Sequence, residues 1–290
     1  MSLNEPYQPS SKARPFLKWV GGKTQLLPQL SAKLPKKFGK YYEPFLGGGA
    51  LFFHLYPAQA CLSDINDTLI STYQVIRDQV DELIEDLAQH RYEKDYYYTL
   101  RAADRQPSFQ DWTNVQKASR LIYLNKCCFN GLYRVNSRGE FNVPFGRYKS
   151  PNFLDQDNLR ACQRSLQNTE LQVRHFLEVE SHVKPGDFVY FDPPYAPLSS
   201  TSNFTSYSRL GFDEQDQVLL RDLCQRLDEK GVYFMMSNSS APLILDIYQP
   251  FRVKKVLASR AVNSRSSKRG KIHEVIVTNY PQPRKRRQAS

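Results

Sequence analysis

The stretch from residue 41 to residue 64 constrains the fold most, because strand, glycine-turn and helix signals follow one another closely in it. Residues 41–45 are typical of a strand, and Gly47, Gly48 and Gly49 follow as a turn. Residues 50–55 begin a helix, and residues 60–64 form the next strand signal, which ends on an acid. A strand, turn, helix, strand series predicts a parallel sheet in an α/β fold.

A further strand signal ends in Asp192-Pro193-Pro194-Tyr195. The aromatic and aliphatic residues 188–191 before it are typical of a buried strand. The two prolines end that strand and stiffen the backbone, because each fixes φ and removes an N–H donor. We therefore expect Asp192 at the carboxyl edge of the sheet, where α/β folds place active sites. A rigid acceptor beside an aromatic face suits adenine, whereas a strand terminator with a solvated carboxylate is the alternative interpretation.

The remaining pattern predicts a discontinuous sheet domain. Residues from about 68 to 125 are helical in pattern with charged faces, and strand signals return near residues 171–175, 188–191, 232–237 and 253–257. We expect a Rossmann-like sheet domain built from residues 14–67 and 165–280, and a largely helical insertion at residues 68–164. Residues 1–13 and 281–290 are expected to be flexible tails.

Charge and composition limit the classes of partner. The net charge of +11 and pI near 9.3 favour a polyanion such as nucleic acid. The five cysteines are odd in number and lack metal or redox spacing, and the five histidines are scattered, so we expect a reducing cytoplasm and no metal. No segment has the apolar length of a signal peptide or membrane span, so no membrane association is expected.

The glycine turn and the acid after it predict a nucleoside site. Gly47 and Gly49 let a ligand approach the backbone closely, and Asp64 could accept hydrogen bonds from ribose hydroxyls. The glycines do not follow the G-x-G-x-x-G pattern, so S-adenosylmethionine, which carries no phosphate, fits better than a dinucleotide. A packing turn with a helix cap is the alternative. A P-loop at Lys23 is excluded, because Leu17 stands where that motif requires glycine.

Six sequence blocks occur in the order of one known family. These blocks are residues 16–23, 43–49, 64–66, 130–134, 139–146 and 192–195. Together they resemble the Dam family of DNA adenine-N6 methyltransferases, in the group whose cofactor motif precedes the catalytic motif. The resemblance covers roughly Arg14 to Tyr280. It implies an S-adenosylmethionine-dependent methyltransferase sheet, a target-recognition role for the insertion and its β-hairpin, and methylation of adenine in GATC of double-stranded DNA.

The matched motifs imply a role for particular residues. The cofactor pocket is expected to be lined by Trp19, Lys23, Phe45, Gly47, Gly49, Asp64 and Asp192. The catalytic residues are expected to be Asp192, Pro193 and Tyr195. Asp192 and the Pro193 carbonyl could accept the two hydrogens of the adenine amino group, and Tyr195 could stack on the flipped base. Cytosine-C5 methylation is disfavoured, because no cysteine stands in a matching prolyl motif.

The segment from residue 129 to residue 146, read as a hairpin, is expected to read the DNA. The implied DNA-binding residues are Lys18, Lys126, Phe129, Asn130, Leu132, Arg134 and Pro144. Arg134 is the expected guanine reader, because arginine bidentate to guanine is the commonest specific contact. Leu132 and Pro144 are expected to pack on thymine or a base edge, Phe129 to wedge into the base stack, and Lys18 to reach another guanine.

Other basic residues are expected to contact phosphate or solvent. Lys126 and the basic loop at residues 265–271 are predicted to position the duplex through phosphate contacts. The run at residues 284–287 lies beyond the resemblance, and both a non-specific tether and a solubilising tail remain open.

Two other functions stay open from the sequence. One is a catalytically silent DNA-binding relative, and the other is an RNA or protein-amine methyltransferase. Relatives that modify glutamine usually carry asparagine at the position of Asp192, which disfavours the second. We expect a monomer, acting alone, in a restriction-modification system or in a phage.

Overall fold

The computed structural model describes residues 13–197, 212–259 and 271–281. Side chains are described throughout these ranges except at residues 258, 259, 271 and 272. The predicted phosphate contacts at residues 265–270 and the basic run at residues 284–287 lie outside the described residues.

The described strands form one seven-stranded sheet. They are β1 (Tyr41–Glu43), β2 (Ala60–Asp64), β3 (Thr169–Val173), β4 (Phe188–Phe191), β5 (Tyr233–Ser239), β6 (Arg252–Ser259) and β7 (Lys271–Thr278). Their order is β3-β2-β1-β4-β5-β7-β6. Strands β1 to β5 pair in parallel, as predicted, and β7 pairs antiparallel with both β5 and β6. The sequence pattern missed β7, because its first residues were interpreted as the end of a basic loop.

Helices cover the sheet and make up most of the chain between β2 and β3. The α-helices are α1 (Leu27–Ser31), α2 (Ala50–Leu55), α3 (Asp67–Asp78), α4 (Val80–Ala88), α5 (Lys94–Ala102), α6 (Asn114–Cys127), α7 (Gln156–Leu166), α8 (Glu214–Glu229) and α9 (Pro242–Ile247). Short 3-10 helices lie at Thr24–Leu26, Ala103–Arg105, Pro107–Asp111, Phe129–Gly131 and Phe176–Ser181. No helix in the described part of the chain is long and apolar enough to cross a membrane.

Side-chain alternation along the central strand β4 explains how both faces of the sheet are covered. Phe188 and Tyr190 join the apolar cluster that includes α3, α6 and α7, whereas Val189 and Phe191 join the cluster that includes α8. All four residues are buried. A strand buried on both faces reads as a continuous apolar run, which is why the sequence predicted it well.

The strand order reverses direction between β1 and β4, and this reversal positions the site. From β1 the chain runs outward to β2 and β3, and it then returns through β4 to β5 on the other side. Open α/β sheets bind ligands at the carboxyl ends of the strands beside such a reversal. Glu43 ends β1, Asp64 ends β2 and Asp192 follows β4, so three carboxyl groups converge on this edge.

The predicted β-hairpin follows α6. It is closed by antiparallel bridges between Cys128 and Phe145 and between Val135 and Phe141. The Phe129 amide also donates to the Pro144 carbonyl at 2.8 Å. The hairpin is therefore fixed at its base, directly after α6.

Candidate active site

Asp192 faces Lys23 at the end of β4. Its Oδ1 lies 2.7 Å from Lys23 Nζ, and the two side chains are only 18% and 6% exposed. The Lys23 ammonium also contacts the Gly21 carbonyl and lies 4.6 Å from the centre of the Tyr195 ring. The structure therefore brings Lys23, which the family motif assigns to the cofactor pocket, directly to the carboxylate of the Asp-Pro-Pro-Tyr motif.

The ionisation of Asp192 is set by two opposing effects. Burial raises the pKa of Asp192 to about 6, the Lys23 charge partly offsets this rise, and the nearby Glu274 charge adds to it. Asp192 is thus ionised at neutral pH but holds a proton more readily than an exposed aspartate. A carboxylate of this kind can accept hydrogen bonds from an amine and then take up a proton from it.

Glu274 orients Tyr195. The Tyr195 hydroxyl donates to Glu274 Oε2 at 2.8 Å, and Glu274 lies on β7 opposite Ser239 of β5. Burial and the negative charges of Asp192 and Glu274 raise the pKa of Tyr195 well above its ordinary value, so its hydroxyl remains a donor. The sequence analysis missed Glu274 because it missed β7.

A buried amide pair supports the segment after Asp192. Gln217 Nε2 donates to the Pro194 carbonyl at 2.9 Å, and the Ala196 amide donates to Asn238 Oδ1 at 3.2 Å. Asn238 Nδ2 also donates to Gln217 Oε1 at 3.0 Å, which joins α8 to β5. Pro193 itself is buried. The Asp-Pro-Pro-Tyr motif is therefore held rigid both by its prolines and by these bonds.

The glycine turn after β1 packs tightly against its neighbours. Gly47 has φ +48°, and a Cβ placed there would lie 2.8 Å from Trp19 Cδ1. Gly49 has φ +64°, and its Cβ would lie 2.8 Å from the hydroxyl of Tyr73, which donates to the Gly47 carbonyl. Positive φ and the absence of room both require glycine here.

Asp64 and two aromatic residues complete this cradle. Asp64 accepts the Gly47 amide at 3.0 Å through Oδ2 and the Asn66 amide at 3.0 Å through Oδ1. Trp19 is half-buried and stacks on Tyr133, with ring centres 5.0 Å apart and planes at 22°. Phe45 is half-buried, on the side of the sheet that carries α8, and stacks on Phe176 at 5.2 Å.

These residues fit S-adenosylmethionine. A carboxylate has about four acceptor positions, so Asp64 can accept ribose hydroxyls while keeping its two amide bonds. Trp19 packs directly over Gly47, and Phe45 lies two residues before it, so we expect these two rings to provide the apolar contacts of a bound nucleoside. No cluster of histidine, cysteine, aspartate or glutamate that could hold a metal ion occurs among the described residues.

Glu43 is a further buried acid at this edge. It is 2% exposed and accepts the Tyr41 hydroxyl at 2.8 Å. Burial raises the pKa of Glu43 to about 8, and the charges of Asp192 and Asp64 contribute to the rise. A neutral Glu43 limits the repulsion among three converging carboxyl groups. The sequence contained Glu43 in a matched block but gave it no role.

We expect Glu43→Gln to reduce the pH dependence of stability. The folded protein keeps the Glu43 proton up to about pH 8, whereas the unfolded chain releases it near 4.5. The unfolded state therefore binds fewer protons between these values, and the free energy of unfolding falls as pH rises. Urea unfolding at pH 5 and pH 8 should show a fall on the order of 3 kcal/mol larger in wild type than in the variant. Equal falls would contradict the assignment.

Arg134 lies on the hairpin with one edge of its guanidinium anchored by hydrogen bonds. Arg134 is exposed, and its Nε and Nη2 donate to Asn142 Oδ1 at 2.6 Å and to the Asn142 carbonyl at 3.1 Å. These bonds occupy one edge of the guanidinium and leave the edge between Nη1 and Nη2 unoccupied by them. A planar group with one edge anchored is pre-organised for bidentate contact.

The other predicted DNA-binding residues lie at the base of the hairpin or beside it. Phe129 is 49% exposed and Pro144 is exposed, and a backbone bond joins them. Asn130 is exposed at φ 57°, and Leu132 is half-buried. The structure thus groups an exposed ring, a proline and a left-handed asparagine at the base of the hairpin.

The two predicted lysines of this region differ in exposure. Lys18 is exposed, with its Nζ 4.4 Å from the centre of the Tyr148 ring. Lys126 is half-buried at the end of α6, and burial together with the Lys18 charge lowers its pKa. Tyr148, which no sequence motif indicates, becomes a candidate DNA-contacting residue because it lies against Lys18.

Comparison with known proteins identifies the relatives of this chain. It is 47% identical over 271 residues to the type II methyltransferase M1.LlaDCHI of Lactococcus lactis subsp. cremoris, covering 92% of this chain and 95% of that protein. It is 42% identical to the type II methyltransferase M.MjaIII of Methanocaldococcus jannaschii, covering 93% and 100%. It is also 34% identical to the DNA adenine methylase of Haemophilus influenzae, covering 93% and 95%.

A family model agrees with these relatives and covers the edge of the sheet where Asp192, Lys23 and the glycine turn converge. The model of the D12 class N6 adenine-specific DNA methyltransferases matches residues 19–262. The match runs from Trp19 through the hairpin to β6, so it includes most of the described fold. This chain therefore belongs to the D12 class of N6 adenine-specific DNA methyltransferases.

Proposed function

We propose that this chain transfers the methyl group of S-adenosylmethionine to N6 of a flipped adenine in GATC of double-stranded DNA. One observation carries this proposal: Asp192 and Tyr195 stand on a rigid segment at the same sheet edge as Asp64 and the glycine turn. This arrangement offers an acceptor for an exocyclic amine beside a cradle that suits a nucleoside.

The residues at this edge would perform the reaction by positioning and electrostatics. The lone pair of the adenine amine is delocalised into the ring, so the amine is a weak nucleophile. Asp192 Oδ1 faces Lys23, which leaves Oδ2 to accept one amine hydrogen, while the Pro193 carbonyl accepts the other. The amine is thereby held with its lone pair free, and Asp192 takes the proton that it loses. Bound S-adenosylmethionine supplies the electrophilic methyl group, and no covalent bond to the enzyme is needed.

Lys23 and Glu274 would keep the catalytic groups in their required states. The Lys23 ammonium keeps Asp192 ionised at neutral pH against its burial. The hydrogen bond to Glu274 holds the Tyr195 ring in one orientation, so that a flipped adenine meets a fixed stacking surface.

The GATC assignment rests on the resemblance of the sequence blocks, and the anchored Arg134 supports it. Arg134→Ala should cost about 1–3 kcal/mol in discrimination at the guanine that it reads. Methyl-transfer rates on duplexes carrying GATC or a single guanine replacement would measure this difference. Arg138→Ala, on the same hairpin, removes the same charge and should leave the ratio unchanged. An equal loss on every duplex after Arg134→Ala would indicate a phosphate contact instead.

A competition experiment tests the substrate class. Isotope-labelled S-adenosylmethionine is offered together with duplex DNA, RNA and peptides, and labelled bases are then analysed. Label in N6-methyladenine of DNA supports the proposal. Label mainly in RNA or peptide would establish the alternative enzyme, and absence of cofactor binding by calorimetry would indicate a catalytically silent relative.

The biological setting is also part of the proposal. The names of two relatives as type II methyltransferases favour a role in a restriction-modification system. We propose a monomer acting on DNA in the cytoplasm, and sedimentation analysis with and without duplex DNA would test the monomer.

A further inference from the structure

We propose that Asn125 is a positioning residue that fixes the cofactor segment against the base-reading turn and thereby determines how accurately the recognition site is read. The cofactor segment is residues 16–23, and the base-reading turn is residues 129–132. This inference rests on the proposed function, because it concerns the accuracy of that same reaction.

The hydrogen bonds of Asn125 connect these two segments directly. Asn125 lies on α6 and has 0% exposure. Its Oδ1 accepts the Lys18 amide at 2.8 Å, and its Nδ2 donates to the Lys18 carbonyl at 2.9 Å. Nδ2 also donates to the Gly131 carbonyl at 3.1 Å. Three bonds from one buried amide thus hold two backbone segments that lie more than a hundred residues apart in sequence.

Close packing strengthens this connection. Gly131 has φ +64°, and a Cβ placed there would lie 2.2 Å from Lys18 Cδ. The turn therefore rests on the aliphatic part of the Lys18 side chain, whose ammonium lies over the Tyr148 ring. Beyond the turn, Tyr133 stacks on Trp19 of the cofactor segment. The turn and Lys18 are therefore closely packed, and we expect them to move together.

The functional groups of the proposed site lie on both sides of Asn125. Lys18 is a proposed guanine contact, whereas Phe129, Asn130 and Leu132 surround Gly131 in sequence. Accurate reading requires the backbones that carry these groups to stay at a fixed distance from one another. A buried amide that binds both backbones can hold that distance, because its geometry is set by α6 and not by the DNA.

Asn158 provides a matched control. It lies on α7, is 3% exposed, accepts the Arg14 amide at 2.9 Å and donates to the Arg14 carbonyl at 3.0 Å. Asn158 therefore binds the backbone of Arg14 in the same way as Asn125 binds the backbone of Lys18, four residues further along the chain. No described bond joins Asn158 to the base-reading turn. Alanine at either position removes a buried amide that anchors this segment.

The experiment compares wild type, Asn125→Ala and Asn158→Ala at a temperature where all three are folded. Thermal unfolding, kcat and KM are measured on a GATC duplex and on duplexes with one base replaced. We expect both variants to lose stability. Only Asn125→Ala should lower the ratio of kcat/KM between GATC and the replaced sites, by roughly tenfold. A merely structural role would lower stability without changing this ratio.

A second variant, Gly131→Ala, provides an independent test in case Asn125→Ala does not fold. Gly131→Ala leaves the amide in place but pushes the turn away from Lys18, and it should reduce the same ratio. Unchanged ratios in the folded variants would overturn the role of Asn125, while wild-type specificity would leave the proposed function standing. A wild-type protein that methylates adenine without preferring GATC would instead overturn the proposed specificity, and the role of Asn125 with it.

Discussion

Asp192→Ala is expected to lower the rate of methyl transfer by roughly 10³-fold or more while duplex DNA still binds. The variant loses the proposed acceptor of the adenine amine, and it also leaves Lys23 without the partner that lies 2.7 Å away. The proposed DNA contacts lie on the hairpin and on basic surface residues, so DNA affinity should change little. Single-turnover methyl transfer and a DNA-binding titration measure the two effects separately.

A surface carboxylate provides the control for this substitution. Asp246→Ala removes an equal charge from an exposed position on α9 and should leave methyl transfer near the wild-type rate. Normal turnover by Asp192→Ala would exclude the proposed mechanism.

The wild-type enzyme is also expected to depend on pH. Its kcat/KM should fall as pH drops through about 6, because protonation of Asp192 removes its ability to accept the amine hydrogen.

Arg120→Ala is expected to lower the free energy of unfolding by about 3–5 kcal/mol. The Arg120 guanidinium lies 2.7 Å from Asp104 and donates to the carbonyls of Leu100 and Arg101. Both members of the ion pair are nearly buried, with side chains 9% and 10% exposed. Removing Arg120 leaves the Asp104 charge buried and uncompensated.

The same ion pair supports the hairpin, because Asp104 Oδ2 accepts the Phe141 amide at 2.8 Å. Arg105→Ala is a suitable control, since Arg105 reaches Glu140 of the hairpin at 3.4 Å from a more exposed position. Its loss should destabilise the protein much less, because an exposed ion pair is screened by solvent. Similar destabilisation of the two variants in urea unfolding would show that the buried ion pair contributes no more to stability than the exposed one.

The sequence alone predicted the structure where the sequence pattern and the structural element lie within one short segment of the chain. The apolar run of β4 with its two prolines predicted a buried strand ending in a rigid acid. The glycine turn and Asp64 predicted a close backbone approach beside an acceptor, and the structure places them at one edge. In these cases the chemistry depends on residues that are neighbours in the chain.

The sequence was insufficient where the partners are distant in the chain. Glu274 meets Tyr195 across 79 positions, and Asn125 meets Lys18 across 107. Neither contact leaves a periodic pattern, because a single polar residue in a strand or helix is compatible with many environments. The pairing of Lys23 with Asp192 likewise depends on how the first loop folds back over β4.

Methylation of plasmid DNA, in a host that lacks its own adenine methylation, would reveal both the activity and its specificity for GATC. The plasmid is recovered after expression and digested with paired nucleases, one cutting only methylated GATC and the other only unmethylated GATC. We expect cutting by the first nuclease and resistance to the second, with both effects lost in Asp192→Ala. Resistance to the first nuclease and cutting by the second would show that the protein does not methylate GATC.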